Sequence, residues 1–339
     1  LPNLENLKSL HIRMATNKDL SFLKNIKGLQ NIYLGYCSNL QSLTGLDVSE
    51  VIDLDISECN QLRDTSILKE AKKVKNVMLS SEGSDTDSDK SLNIAFVERF
   101  GLAESLDITG CDFSDLNDLS VLTNLKCLRI SNPKNITVFP LLGENKKLND
   151  LSITAPNLID LKGIGQCTNL KTISLSNNKN LNTVEHLENI KFVDIKLNRS
   201  GIKNLDFLEN IQIISSYNHS IGYNEALDIH EGSFSVSSNR SDEDKKKTGN
   251  GLPDGFDTNG HVIPEFYEDG SSSDFINYNT FYLNDCPNLE QIKGLKNVTN
   301  IMALDFSNCV KLTSLDGLEK MLDLREIDLT DCTNLESIH

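Results

Sequence analysis

The chain has 339 residues and carries 49 Asp and Glu against 33 Lys and Arg, which gives a net charge of −16 at pH 7. This charge argues against a nucleic-acid partner, and no run of about 20 apolar residues is present that could cross a membrane. The absence of Trp and the small number of other aromatic residues suit short strands joined by polar turns.

A short apolar motif recurs along almost the whole chain. Its clearest copy is 301–315, which reads L-x-x-L-x-L-x-x-C-x-x-L-x-x-L with an apolar residue at every L position. About 13 copies follow one another, most of them 22 or 23 residues apart, and a fixed period of this length predicts a solenoid. The last apolar strand residues of the copies are Ile12, Leu34, Ile56, Leu79, Ile108, Ile130, Ile153, Leu175, Leu197, Ser216 (a degenerate copy), Leu283, Phe306 and Leu329.

Each copy is expected to form one coil. A strand of three or four residues directs alternate side chains to opposite faces, so the L-x-L pair faces the core and the residue between them faces outward. One coil cannot enclose its own leucines, and stacked coils bury them in a continuous core. The pattern therefore predicts a parallel sheet with one strand from each coil.

The motif resembles the leucine-rich repeat, and most closely the bacterial repeats of the internalin type. Phrases such as LDFLEN at 205–210 and LDGLEK at 315–320 carry this resemblance. It implies an α/β solenoid, a horseshoe of about 13 coils with a parallel concave β-sheet and a short 3-10, helical or irregular convex side. We expect one solenoid over 1–339, a fragment without clear caps, with insertions at about 81–92 and 231–277.

Cysteine occupies the same turn position in six coils, so the six thiols are expected to stack as one column that points into the core. Small buried side chains whose S–H groups bond to neighbouring backbone carbonyls explain this column better than disulfides do. Cys127 lies outside the column, in an outward strand position, where we expect it to be the one exposed thiol. The column consists of Cys37, Cys59, Cys111, Cys286, Cys309 and Cys332.

Both insertions contain acidic residues that could be mistaken for calcium loops. The first has D-x-D-x-D at Asp85, Asp87 and Asp89, but it lacks the Gly and Glu that a helix–loop–helix calcium site needs. The second resembles the calcium repeats of bacterial surface proteins without their leading aspartates. We expect no metal and no cofactor, and the alternative is one calcium ion held by Asp254, Asp257 and Asn259.

The outward side chains of the sheet are the predicted binding surface. Tyrosine is typical of the energetic anchors of interfaces, and charged residues mark both ends of the central outward column. These side chains would contact a protein partner, which could be a host or cell-surface protein. The predicted contact residues are Tyr33, Tyr36, Asp55, Asp107, Arg129, Lys196, Tyr217, Tyr282, Asp305 and Asp328.

The sequence predicts a recognition module and no enzyme. The six His residues are scattered, and there is no phosphate-binding glycine loop or nucleophile elbow. We expect a monomer that binds a protein partner and belongs to a bacterial surface or secreted protein. Alternatives are the targeting arm of a larger enzyme or effector and a structural spacer. The free thiols favour a reducing compartment such as the cytoplasm, whereas the resemblance implies the cell surface or the extracellular space.

Overall fold

Twelve short parallel strands form the framework of the structure, a computed structural model. It describes residues 4, 6–81, 92, 94–112, 119–139, 141–143, 145–164, 167–182, 184, 187, 194–209 and 280–336. The strands are β1 (Ser9–Arg13), β2 (Asn31–Gly35), β3 (Asp53–Ser57), β4 (Asn76–Ser80), β5 (Ser105–Thr109), β6 (Cys127–Ser131), β7 (Asp150–Thr154), β8 (Thr172–Ser174), β9 (Asp194–Lys196), β10 (Thr280–Tyr282), β11 (Ala303–Asp305) and β12 (Glu326–Asp328). β1–β9 pair in chain order in one sheet, and β10–β12 pair in a second.

The strands pair in the register that the repeat requires. Ile12 lies opposite Leu34 and Leu34 opposite Ile56, so that side chains one coil apart in sequence are neighbours in space. The 29-residue step before Ile108 does not disturb this order, since Leu79 pairs with it directly. In β2, β3 and β4 buried and half-exposed residues alternate along the strand. The predicted parallel sheet, with aliphatic side chains on one face, is confirmed.

The coil of Leu197 lies directly against the coil of Leu283. The backbone N–H of Arg199 donates to the carbonyl of Asn284 at 2.9 Å, and the thiol of Cys286 donates to the carbonyl of Leu197 at 3.4 Å. The same two contacts join ordinary consecutive coils elsewhere in the stack. The additional coil predicted at Ser216 lies outside the described residues, which form 12 strands where about 13 coils were predicted.

The return segments between strands are built from turns and short 3-10 helices. An Asp or Asn side chain starts several of these segments by accepting a hydrogen bond from the backbone N–H two residues later, as Asp19 does from Ser21 at 2.9 Å. The same turn recurs at Asp47, Asp64 and Asp160. The 3-10 helices span Ser21–Leu23, Ser66–Glu70, Ala95–Arg99, Lys162–Ile164, Asp206–Leu208 and Lys293–Leu295.

The cysteine column is confirmed. Five of its thiols donate to the carbonyl of the register residue one coil earlier, at sulfur–oxygen distances between 3.2 Å for Cys309 and 3.9 Å for Cys37. Asn178 fills the same position and donates to the carbonyl of Ile153 at 2.7 Å. These six side chains therefore give their coils a polar contact with the coil before. The five thiols belong to Cys37, Cys59, Cys286, Cys309 and Cys332.

Cys127 is buried, and the prediction that it is an exposed thiol is wrong. It begins β6, and its side chain is 4% exposed. Alternation along the strand does direct it outward, but its neighbours in the same column, Ser105 and Asp150, are also buried. Burial raises the pKa of the Cys127 thiol to about 11, so this thiol is not a ready nucleophile.

We predict that Gly45→Ala destabilises the fold whereas Gly35→Ala does not. Gly45 has a φ of +105°, and a Cβ there would lie 2.2 Å from the carbonyl oxygen of Leu20 in the preceding coil. Strain at positive φ and the overlap with backbone together should cost about 2–4 kcal/mol. At Gly35 a Cβ would meet only the Arg13 side chain, at 3.6 Å. Urea denaturation followed by circular dichroism measures both, and equal midpoints would contradict the prediction.

We also predict that a thiol reagent distinguishes Cys332 from the other seven cysteines. Cys332 is the half-exposed cysteine of the eight, and the rest are buried. Ellman's reagent should modify Cys332 fast and the others only as slowly as the protein unfolds, because the thiolate must reach solvent to react. Cys332→Ser should remove the fast phase, and Cys127→Ser should leave it unchanged. A fast phase that survives Cys332→Ser would show that a second thiol is accessible.

Candidate binding face

The outward side chains of the strands form the candidate site, which we name the sheet face. It comprises the first, third and, where the strand has five residues, fifth positions of β1–β12. The structure places eight of the ten predicted contact residues at the third position of their strands: Tyr33, Asp55, Asp107, Arg129, Lys196, Tyr282, Asp305 and Asp328. Tyr36 lies in the turn after β2, and Tyr217 lies outside the described residues.

Aromatic and basic side chains meet at the β1–β2 end of the sheet face. The rings of His11 and Tyr33 are paired at 4.2 Å between centroids and 31° between planes. The Arg13 guanidinium lies 5.4 Å from the centre of the Tyr36 ring, within the range of a cation–π contact. Tyr36 is half exposed, and its φ of +56° turns it out of the strand. This corner therefore presents aromatic surface that its own neighbours already hold in place.

Several acids on the sheet face are held by the residue two positions later. Ser57 donates to Asp55 at 2.6 Å, and Ser307 donates to Asp305 at 2.6 Å. The backbone N–H of Thr330 bonds to Asp328 at 2.8 Å. Residues i and i+2 of a strand share a face, so the pattern Asp-x-Ser/Thr was the sequence signal for these pairs, which our sequence analysis did not use. These bonds fix the carboxylates before any partner arrives.

Asp53 and Asp150 occupy the same column of the sheet face but have opposite surroundings. Asn76 Nδ2 donates to Asp53 at 2.6 Å, and Asn31 donates to its other carboxylate oxygen. Asp150 is 8% exposed, and no hydrogen-bond donor reaches its carboxylate from the described residues. Burial raises its pKa, and the positive charges of Arg129 and Lys196 only partly oppose that effect.

Asp150 was not among the predicted contact residues. It occupies the first position of its strand, whereas the predicted contact residues on strands lie at the third position. A carboxylate in a column that otherwise holds Asn, Ser, Cys and Thr between β4 and β8 was the available signal. The structure shows why it matters, because a buried charged group without hydrogen bonds is costly and rare.

No group of three His, Cys, Asp or Glu residues in the described part of the chain is arranged to hold a metal ion. The candidate calcium ligands Asp254, Asp257 and Asn259 lie outside that part, as do Asp85, Asp87 and Asp89. The calcium alternative thus stays a prediction. Within the same described residues, none of the helices is long and apolar enough to cross a membrane.

The register of the strands and the buried ladder decide the fold. Apart from the 29-residue step into β5, paired residues within each sheet are 22 or 23 positions apart, and the intervening leucines are buried against the next coil. The chain has the fold of a leucine-rich repeat protein. This repeat stacks coils that each contact only their neighbours, which leaves the sheet face as one long polar surface.

Comparison with known proteins gives matches in structure alone. An internalin (inlF) from Listeria monocytogenes is similar at 14% identity and a TM-score of 0.39, over 96% of this chain and 87% of the internalin. A leucine-rich repeat protein of Leptospira interrogans is similar at 14% identity and a TM-score of 0.36, over 95% of this chain and 84% of that protein. No family model and no curated protein sequence matches.

We predict that Asp150→Asn makes the protein more stable at pH 7 and leaves its stability nearly unchanged at pH 3. The folded state raises the pKa of Asp150 above its ordinary value of 3.8, so between these two values the native state binds more protons than the unfolded state. The free energy of unfolding therefore falls as the pH rises through that window. An amide cannot ionise, and removing the buried charge should contribute on the order of 1 kcal/mol at pH 7.

Asp53→Asn is the matched control for this measurement. It makes the same change in charge in the same column, but it takes away an acceptor that two asparagine side chains use. We expect it to destabilise the protein at neutral pH. Thermal unfolding from pH 3 to pH 8 compares the two variants, and a loss of stability for Asp150→Asn at pH 7 would contradict the interpretation.

Proposed function

We propose that the chain is a non-catalytic recognition module that binds a protein partner through the sheet face. The observation that carries this proposal is the continuity of the face. Its outward columns run in register across nine strands of one sheet and three of the second. The aligned side chains are polar, charged or aromatic rather than a closed apolar layer, as at Tyr33, Asp55 and Arg129. A long polar face on a regular scaffold is suited to an extended protein surface.

The internal contacts of the sheet face support binding because they reduce its entropic cost. Ordering a free side chain at an interface costs about 0.5–1.5 kcal/mol, and side chains that are already fixed avoid part of this loss. The His11–Tyr33 ring pair, the Asp55–Ser57 bond and the Asp305–Ser307 bond fix side chains at both ends of the stack. The tyrosines then serve as anchors and the carboxylates as groups that set orientation.

Catalysis has no comparable support in the described residues. A nucleophile needs an accessible atom and a base beside it. The thiols of Cys59 and Cys111 are buried, and burial raises the pKa of each to about 12. The paired carboxylates Asp305 and Asp328 lie on an open face, and each is held by a local hydroxyl or amide.

We further propose that the module acts outside the cell as a monomer, in a bacterial surface or secreted protein, and that its partner is a protein of another cell. The support is the resemblance of its coils to internalin repeats together with the acidic charge, which favours solubility. In the targeting-arm alternative the same face binds the partner, and the module brings a larger enzyme or effector to that partner. The spacer alternative differs in having no partner at all.

We predict that a photo-crosslinker on the sheet face captures a discrete protein from intact cells. Ser152 and Ser174 are the third residues of β7 and β8, and p-benzoylphenylalanine at either position would face the partner. The control position is Lys69, which is exposed on a return-segment 3-10 helix. Mass spectrometry should identify the same protein from both face positions and not from Lys69. Capture from neither face position, or equally from all three, would overturn the proposal.

The recombinant partner then allows the tyrosine anchors to be measured. Tyr33→Ala, Tyr36→Ala and Tyr282→Ala should each weaken binding by about tenfold or more, as expected for aromatic anchors of an interface. Phe22→Ala is the control, because Phe22 is 42% exposed but belongs to a return segment. Unchanged affinity in all three tyrosine variants would remove them as anchors while leaving the face itself in place.

A further inference from the structure

We infer that Asp150 is the receptor for a lysine or arginine side chain of the protein partner, seated at the centre of the sheet face. This inference rests on the proposed function and specifies the chemistry of the partner. Asp150 begins β7 at an outward position and is 8% exposed, and no described residue donates a hydrogen bond to its carboxylate. A buried carboxylate that lacks a hydrogen-bond donor requires an explanation, even where cations lie near it.

Asp53 occupies the same strand position, and there the chain itself supplies the hydrogen-bond donors that a carboxylate needs. Asn31 and Asn76, one coil on either side, each donate to one oxygen of Asp53. The corresponding neighbours of Asp150 are Cys127 and Thr172, and neither donates to it. The thiol of Cys127 is a weak donor, and its side-chain hydrogen bond is with Arg129. The chain therefore supplies donors for one carboxylate of this column and leaves the other for a group from outside.

The chemistry of the site favours an organic cation over a metal ion. A hard divalent cation takes six or more oxygen ligands, or at least several carboxylates, and no cluster of three such residues exists among the described side chains. An ammonium or guanidinium group needs one carboxylate, and it supplies both the missing donors and the opposite charge. A lysine or arginine stem can also lie along an apolar wall while its charged end reaches a recessed acceptor.

The charge of the sheet face favours the same partner. Among the described outward side chains of the strands, seven carboxylates stand against three Lys and Arg, so the face is acidic in spite of the two cations near Asp150. Opposite charge on a partner surface speeds encounter and fixes its orientation. The carboxylates are Asp53, Asp55, Asp107, Asp150, Asp305, Glu326 and Asp328, and the bases are Arg13, Arg129 and Lys196.

Arg129 and Lys196 define the space in which the cation would bind. They lie on β6 and β9, on either side of Asp150 along the sheet, and both act on its charge without forming a hydrogen bond to it. Their positive charges repel any basic side chain that approaches this part of the sheet, and only a bond to the Asp150 carboxylate would offset that repulsion. The position of the basic residue along the partner would therefore decide whether it binds.

The cost of keeping Asp150 buried supports a role in binding. Burial disfavours its ionised form, so the residue opposes folding at neutral pH while a neutral amide of the same shape would not. Sites that reduce stability in the free protein and recover it on binding are expected at functional positions. Binding of a cation would remove the penalty, and affinity for the partner would then depend on this one carboxylate.

Selection from a displayed library of random linear peptides at physiological ionic strength tests the inference. Peptides are selected on the whole chain and retained only if Ser174→Phe, which places a ring across the sheet face, weakens their binding. The expected result is a Lys or Arg at one fixed position, with the dissociation constant raised about tenfold or more by Asp150→Asn. Asp316→Asn makes the same change in net charge in a return segment outside the sheet face, and it should raise the dissociation constant less than about threefold, because general charge attraction at this ionic strength is largely screened.

The outcomes separate this inference from the proposed function. Peptides that depend on the sheet face but lack a fixed basic residue, or that bind Asp150→Asn as well as the original chain, would overturn the assignment of Asp150 and leave the binding face standing. Equal losses for Asp150→Asn and Asp316→Asn would also overturn it, since only the overall charge would then matter. Failure to select any peptide sensitive to Ser174→Phe would count against both proposals.

Discussion

The burial of each coil's leucines by the next coil is the constraint on which the whole structure depends. A single coil has an inner row of aliphatic side chains and no second layer to cover them, so it is unstable alone. Leu34, Ile56 and Leu79 show the solution, because each is fully buried between its counterparts one coil away. The outward strand positions take no part in this burial. They can therefore vary with function while the inner positions keep the fold.

A polar column accompanies the apolar one and keeps the coils in register. The turn after each strand carries backbone groups into the core, where they need hydrogen-bond partners. Cys309 and Asn178 supply such bonds from the same position in different coils, to the carbonyls of Leu283 and Ile153. A thiol is the weaker donor, but it is also a small apolar group, so it satisfies the carbonyl with little desolvation of its own. In the coils that carry such a donor, apolar burial and carbonyl satisfaction thus occur side by side.

The fold could be predicted from the sequence because its determinants repeat. Each L position needs an apolar side chain that faces the core, and the same need recurs 22 or 23 residues later in the next coil. The coil assigned to Ser216 lies outside the described residues, and the period alone could not tell that Leu197 contacts the coil of Leu283. The burial of Cys127 was missed since alternation gives the direction of a side chain but not what its neighbours on other strands cover.

The surroundings of Asp150 were harder to predict from the sequence, because they depend on residues of the neighbouring strands. Asp53 and Asp150 look alike in sequence, and both precede a leucine of a strand. Their difference comes from residues 22 or 23 positions away, namely two asparagines in one case and a cysteine and a threonine in the other. Contacts of this kind become visible only after the coils are stacked.

The junction between β9 and β10 has a consequence for how the molecule comes apart. Among the described strands, the hydrogen-bonded ladder of the first sheet ends at β9 and a new one begins at β10, whereas every other pair of neighbouring described strands is joined by strand pairing. The ring of chain closed there, from Leu197 to Leu283, is also about four times longer than an ordinary coil, which adds about 1 kcal/mol of closure entropy. In a solenoid each coil is stabilised by its contacts with the neighbouring coils, so unfolding separates the stack at its weakest coil–coil interface. Under mechanical pulling or mild denaturant, the three coils of β10–β12 would detach as a block while the nine before them stay wound.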